Sequence, residues 1–327
     1  MVCTTDGATT ISAVHPDVIQ THILTRLDGP ALACVASTCS ELHALSENEP
    51  LWAEICRSTW PSTSAPRMRH VISTFPRASR SFFADSFAPF SARSWREARA
   101  ESAPAELISA VDIFLDGRAV VSRVVETETE SGWFRCSPFR VDVLDTKEAA
   151  ATGAEYPRSE EECAGIAERM RVSWLVVDPR GRRAVEVSGG RAVAVERHWL
   201  SGDVRVRLAT VVSGGERGSA TELAVCGVSV TLGSEMQVRE ACLELEDMDG
   251  MKLNGRDSLG ILQRALQGKR GKLFCEGEDG IQRYLAFVNI KMQRKERKLR
   301  DERRLDMLCV CVGLTLLSFV ALSTLFL

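Results

Sequence analysis

The sequence is poor in lysine until late: between Met1 and Met251 the only one is Lys147. Histidine is scarce too, with 5 in the whole chain, so a histidine-based acid–base or metal site has few possible components. The 11 cysteines form no CxxC pair, and the close pairs Cys34/Cys39 and Cys309/Cys311 have no matching partners at zinc spacing. Met1–Ile11 has neither a basic start nor an apolar run, so no secretory signal is expected. Together with the odd cysteine count, this predicts a reducing compartment in which the thiols stay free and mostly fill cores. The net charge of -3 offers no basic excess of the kind a general nucleic-acid binder carries.

Signatures of chemistry are equally thin. Asp247, Asp249 and Gly250 hint at a calcium loop, but Met251 breaks the pattern. Gly268-Lys269 lacks the preceding glycine and the following Ser/Thr of a phosphate loop. No Ser, Cys or carboxylate stands in a recognisable nucleophile setting with a histidine. His198, beside Trp199, reads as a packed strand residue rather than a base. No catalytic residue, cofactor or metal is expected.

What the chain does have begins at His15. Pro16 suits a first helical position and Asp17 complements a helix N-terminus. Ile19, Ile23 and Leu27 recur every four residues with Leu24 beside them, which predicts one apolar helix face. Asp28-Gly29-Pro30 stops that helix, and Pro30 opens a second whose Leu32, Val35 and Ala36 face one way. Thr38 is placed to cap a third helix from Cys39 to Leu45, with Glu41 near capping-box spacing. Leu51, Trp52, Ile55 and Cys56 form a fourth apolar cluster. These are more large apolar residues than so short a helical stretch buries by itself, which predicts a docking surface.

The ordered set Pro16, Val18, Ile19, Ile23, Leu24, Arg26, Leu27, then Leu32, Val35, Ala36, Cys39, then Leu51, Trp52, Ile55, Cys56 resembles an F-box. The strings Ser173-Trp174-Leu-Val-Val-Asp178-Pro179, Arg197-His198-Trp199-Leu200, Glu246-Asp-Met-Asp-Gly250 and Asn254-Gly-Arg-Asp257-Ser-Leu are similar to one plant F-box subfamily. The resemblance implies a module at 15–60 that docks on a Skp-type adaptor and, through it, on a cullin. It implies adaptor-binding roles for Pro16, Ile19, Ile23, Leu24, Leu27, Leu32, Val35, Leu51 and Trp52. The scarcity of lysine would make such a subunit a poor target of its own ubiquitin transfer, although the accompanying wealth of Ala, Val and Gly makes composition bias the simpler reading.

Residues 1–14 are expected to be disordered, and 61–104 reads as a linker punctuated by Pro61, Pro66, Pro76 and Pro89. Within it Phe82, Phe83 and Phe87 could line a short helix, while aromatics interleaved with arginine could instead stack on a nucleic acid, a weaker reading because no sheet platform accompanies them. From Glu106 the period changes to two, and Asp116-Gly117 marks a hairpin. Strands are predicted at Phe139–Leu144, Met170–Val177, Arg183–Val187, Ala192–Trp199, Val204–Val212, Leu223–Leu232 and Met236–Glu246, and helices at Glu160–Glu168 and Gly255–Leu266. Lys272–Cys275 and Gln282–Ile290 read as closing elements of a body spanning 105–290.

Residues 291–306 carry more basic than acidic side chains and predict a solvated juxtamembrane helix. Met307–Leu327 is uncharged and predicts a transmembrane tail anchor with the bulk of the chain cytosolic. The expected fold is α+β: an N-terminal helical F-box, an antiparallel β-rich domain with one or two helices, and a C-terminal transmembrane helix. The expected function is a non-catalytic specificity subunit of a cullin–RING ubiquitin ligase, holding an unknown protein substrate, tethered to a membrane and binding no nucleic acid. A second reading is a membrane-anchored binding scaffold with no ligase role; a third is a hydrolase housed in the β-rich domain.

Overall fold

The computed structural model describes residues 14–87, 103–145, 148–215, 218–268 and 278–325, with side chains of the last helix described from 280 to 318. The expected disorder before Val14, the aromatics Phe90 and Trp95, and the closing element Lys272–Cys275 lie outside the described residues.

The N-terminal helical run starts as α1 (Pro16–Val18), passes through a π turn (Ile19–Ile23) and ends in a 3₁₀ turn (Leu24–Arg26). Asp28 then caps α2 (Gly29–Ala36), its Oδ1 accepting from the Ala31 amide at 2.8 Å. The third helix, α3 (Ser40–Ser46), is capped by Cys39 rather than Thr38, with the sulfur accepting from Leu42 N at 3.4 Å. Helix α4 (Glu49–Thr59) follows, then a 3₁₀ turn (Pro61–Ser64), α5 (Pro66–Ser73) and α6 (Ala78–Phe87). Much of the expected linker is therefore helical. Trp52 packs 5.5 Å from Phe83, and Trp60 lies 5.3 Å from the same ring, so α6 closes the core that α4 opens. The backbone of α2 approaches so closely that a Cβ on Gly29 would fall 2.0 Å from Phe83 Cζ.

The β-rich body has two antiparallel sheets. Strands β1 (Glu106–Leu115) and β2 (Arg118–Glu128) form the foreseen hairpin, with Asp116 and Gly117 both at positive φ as a two-residue loop of this kind demands. A short α7 (Gly132–Cys136), β3 (Arg140–Asp142), β4 (Ala150–Ala151) and α8 (Glu160–Arg169) lead to β5 (Met170–Asp178) and β6 (Arg183–Glu186). The rest is β7 (Ala192–Arg197), β8 (Val204–Ser213), β9 (Leu223–Leu232), β10 (Gln237–Asp247) and α9 (Gly255–Gln267). One sheet runs β2-β1-β5-β6 and the other β3-β10-β9-β8-β7, with β4 paired to β10.

Alternation along β1 shows how the layers stack. Leu107, Val111 and Ile113 point into the core between the sheets, whereas Ile108 and Ala110 join the core of the helical module. Leu175, Val177 and Ala184 join it from β5 and β6. The four-stranded sheet is thus a wall with an apolar core on each side. Trp174 is buried on the inter-sheet side, and its indole N–H donates to Ser109 Oγ at 3.1 Å.

The last helix, α10 (Glu278–Leu325), covers part of the outer face of the larger sheet. Phe287 is buried against Ala209, Val225 and Met248, with Tyr284 and Val288 alongside. Lys291 pairs with Glu246, and Arg294 and Lys298 pair with Asp249 at 3.1 and 2.6 Å. The stretch expected to be a juxtamembrane helix therefore begins as a clasp on the β-rich body.

The transmembrane part of the expected fold is overturned. Among the described residues no helix is long and apolar enough to cross a membrane. The uncharged residues from Met307 onward continue α10. Arg303, Arg304 and Asp306 sit immediately before them on the same helix. The expected single-pass membrane location, and the membrane as a partner through 307–327, rested on that segment and fall with it; side chains 319–327 lie outside the described residues.

Candidate functional site

The π turn decides which face of the first helical run is presented. A regular helix would stack Ile19 over Ile23. Here Leu24 N donates to Ile19 O, five residues back, so the turn holds one extra residue. Ile19 and Leu24 become the buried pair, each 1% exposed, and Ile23 is rotated outward to 40%. Val18 is likewise turned out, at 44%. The hydroxyls of Thr21 and Thr25 donate to Asp17 O and Thr21 O, four residues back, which favours such a departure from regular geometry.

The nine residues expected at an adaptor surface therefore separate into two groups. Ile19, Leu24, Leu32, Leu51 and Trp52 are buried in the core of the helical module. Trp52 is fixed there by its indole N–H, which donates to Ser46 O at 2.7 Å. Pro16 and Ile23 are exposed, and Leu27 and Val35 are half-buried. Val18 stands in the set that carries the resemblance but not among the nine; at 44% exposure it joins the outward residues.

Two polar clusters elsewhere are held by their own hydrogen bonds and ion pairs. Asp142, Glu240 and Cys242 bring three ligand-type atoms within 4.8 Å of one another. Arg140 sits among them, bonded to Asp142 at 2.7 Å, Glu240 at 2.5 Å and Glu244 at 3.0 Å. Its guanidinium supplies the positive charge that a metal would, and burial pushes the Cys242 thiol up to about 11. Asp247, considered above for calcium, accepts from the amides of Asp249 and Met251 at 2.9 and 2.8 Å and so caps a turn.

The exposed His198 and Ser201 and the half-buried Asp203 form a trio that resembles a catalytic triad in composition only. Ser201 Oγ donates to Asp203 Oδ2 at 2.8 Å and lies 3.1 Å from His198 Nδ1. In an acyl-transfer triad the carboxylate orients the imidazole, not the serine. The trio instead shapes a turn, and His198 lies past the end of β7 rather than within the strand expected to reach Trp199.

Comparison with known proteins follows this geometry. An F-box-like family model matches residues 16–58, the span of the π-bulged run through α4. F-box protein At2g27310 of Arabidopsis thaliana is 42% identical over 94% of this chain and 94% of its own length. Probable F-box protein At2g36090 of the same plant is 42% identical, over 95% of this chain and 92% of its own. F-box protein At3g44326, also from Arabidopsis thaliana, is 38% identical over 98% and 92%. No solved structure matches. Relatives this similar over nearly the full length of both chains leave one conclusion: the chain belongs to the plant F-box proteins.

Proposed function

We propose that this chain is the target-recognition subunit of a Skp–cullin–F-box ubiquitin ligase. The outward side of the helical module (Pro16, Val18 and Ile23, flanked by Leu27 and Val35) would dock on a Skp-type adaptor and through it reach a cullin. The buried residues Ile19, Leu24, Leu32, Leu51 and Trp52 would hold that surface in shape. The β-rich body over 105–290 would hold the protein target, with no reacting group of its own; ubiquitin transfer would gain from effective concentration alone. The observation that carries this reading is the match of an F-box-like model to 16–58, on a helical run whose π turn leaves Ile23 and Val18 facing outward.

The test is co-purification of the full chain with a plant Skp-type adaptor. Ile23→Asp should abolish capture while leaving the melting temperature unchanged, because Ile23 is exposed in the chain alone and would be buried in the complex. A folded wild-type chain that fails to capture any Skp-type adaptor would remove the ligase reading.

A further inference from the structure

The turn joining β7 to β8 presents Trp199 at 87% and Leu200 at 74% exposure. Single exposed apolar residues are ordinary on a protein surface. Two large neighbours on a turn this firmly braced are not, because a flexible turn would let them fold back onto the body. His198 N donates to Asp203 O and Gly202 N to His198 O, both at 2.8 Å. Ser201 N donates to His198 Nδ1 at 3.1 Å, and Ser201 Oγ holds Asp203. From α8's side of the body, Tyr156 Oη donates to Gly202 O at 2.6 Å, and the Arg197 guanidinium lies over the Tyr156 ring at 5.1 Å. Gly202 is at φ +75°, and a Cβ there would meet Tyr156 Oη at 2.7 Å, so the brace uses the absence of a side chain. The imidazole of His198 stacks beside the Trp199 indole, with 26° between the rings.

Asp203 connects this turn to a trough of about 860 Å3 on the neighbouring surface. Its walls carry five carboxylates, Asp142, Asp145, Glu148, Asp203 and Glu240, against two guanidinium groups. Both cations are committed within it: Arg140 to Asp142 and Glu240, Arg239 to Asp203. Among the described lining residues the trough is thus three charges negative, offset in part where Arg123 reaches Glu148 from β2 at 3.5 Å, and an acidic partner would be repelled from it.

We infer that the Trp199–Leu200 turn and the adjoining trough form the docking surface for the target, and that the part of the target recognised is an extended segment pairing a large apolar residue with lysine or arginine. This rests on the reading above, in which the β-rich body holds the target. The apolar residue covers Trp199 and Leu200, and the basic side chain enters the trough beside Asp203. A braced turn loses little freedom on binding, and a tryptophan at the centre of a contact is where binding energy concentrates.

The experiment selects random peptides displayed on phage against the full chain, then measures one selected peptide against variants. Enriched peptides should combine an aromatic or aliphatic residue with Lys or Arg. Affinity should fall about thirtyfold in Trp199→Ala. It should also weaken in Leu200→Ser and Asp145→Lys, and decline with added salt. The melting temperature and adaptor capture should be unchanged in all three variants. No enrichment, enrichment of acidic peptides, or equal binding by Trp199→Ala would overturn the inference. Adaptor capture is read in parallel: if it fails while the peptide binds, the ligase reading falls and the docking surface stands. If capture holds and the peptide does not bind as described, the docking surface falls alone.

Discussion

Asp112, on β1, accepts from both the amide and the hydroxyl of Ser62 in the 3₁₀ turn of the helical module, at 2.9 and 2.6 Å. Both residues are buried, so this polar contact sits at the seam of the helical and β-rich parts. Asp112→Ala would strand a buried N–H and O–H. The expected cost is about 1–3 kcal/mol, with Asp112→Asn, which keeps an acceptor, costing less. Chemical denaturation checks both, and equal losses would mean that the acceptor is irrelevant.

The same carboxyl gives stability a pH dependence of unusual sign. Burial pushes its pKa up, and hydrogen bonds from Ser62 and Ser122 offset that only in part. The folded chain then keeps the Asp112 proton at pH values where the unfolded chain, titrating near ~3.9, has released it. The stability supported by this group is complete below the ordinary carboxylate range and is lost as pH rises through the raised value. The difference in unfolding free energy between wild type and Asp112→Asn should shift toward the variant over that window. A difference independent of pH would sink the prediction.

Ile19 and Ile23 should respond oppositely to truncation. Ile19→Ala removes a buried side chain and should cost about 2–5 kcal/mol. Ile23→Ala trims an exposed one and should stay within about 0.5 kcal/mol. Thermal melts of the two variants decide it; a regular helix would make the losses similar.

Helix α10 should be released from the sheet in acid. Lys298 and Arg294 hold the Asp249 carboxyl below the usual range. Burial opposes ionisation of Glu246, but Lys291 and Arg207 outweigh it and lower its pKa as well. Stability from these groups is present above the ordinary carboxylate range and is lost as pH falls through the lowered values. All are partly exposed, so each pair is worth about 0.2–1 kcal/mol. Phe287→Ala should cost more, about 3 kcal/mol, since it removes the buried anchor. Amide hydrogen exchange along 284–298 measures the release, and protection unchanged in Phe287→Ala would count against the docking described.

Much of the architecture was legible because local signals agreed with it. Period-two alternation placed β5 to β10 within a residue or two at most of their ends, and Asp116-Gly117 fixed the first hairpin. The signals failed where three-dimensional context decides. A spacing of four at Ile19, Ile23 and Leu27 implied one face, but nothing in those residues announces the extra residue of a π turn. A linker with possible helices is expected over 61–104, and Phe82, Phe83 and Phe87 do lie on one of them, α6, but in sequence the prolines at 61, 66 and 76 read only as breaks. Two of them occupy the first positions of helical turns, and the tryptophans and phenylalanines around them make a core. The basic run at 291–306 is exposed over most of its length as expected, but the pairing of Lys291, Arg294 and Lys298 gave no signal because their partners, Glu246 and Asp249, lie far away in sequence. The adaptor-surface residues were named by resemblance, and spacing could not divide the buried from the exposed among them.

Strand β1 lends one side to each of two cores, and this governs how the protein fails. A sheet shared in this way cannot lose its packing on one side while keeping its full support on the other. Heating should therefore produce a single calorimetric event rather than separate events for the helical and β-rich parts. A lesion deep in the β-rich body would then lower the amount of intact protein as surely as one in the helices, without touching any surface.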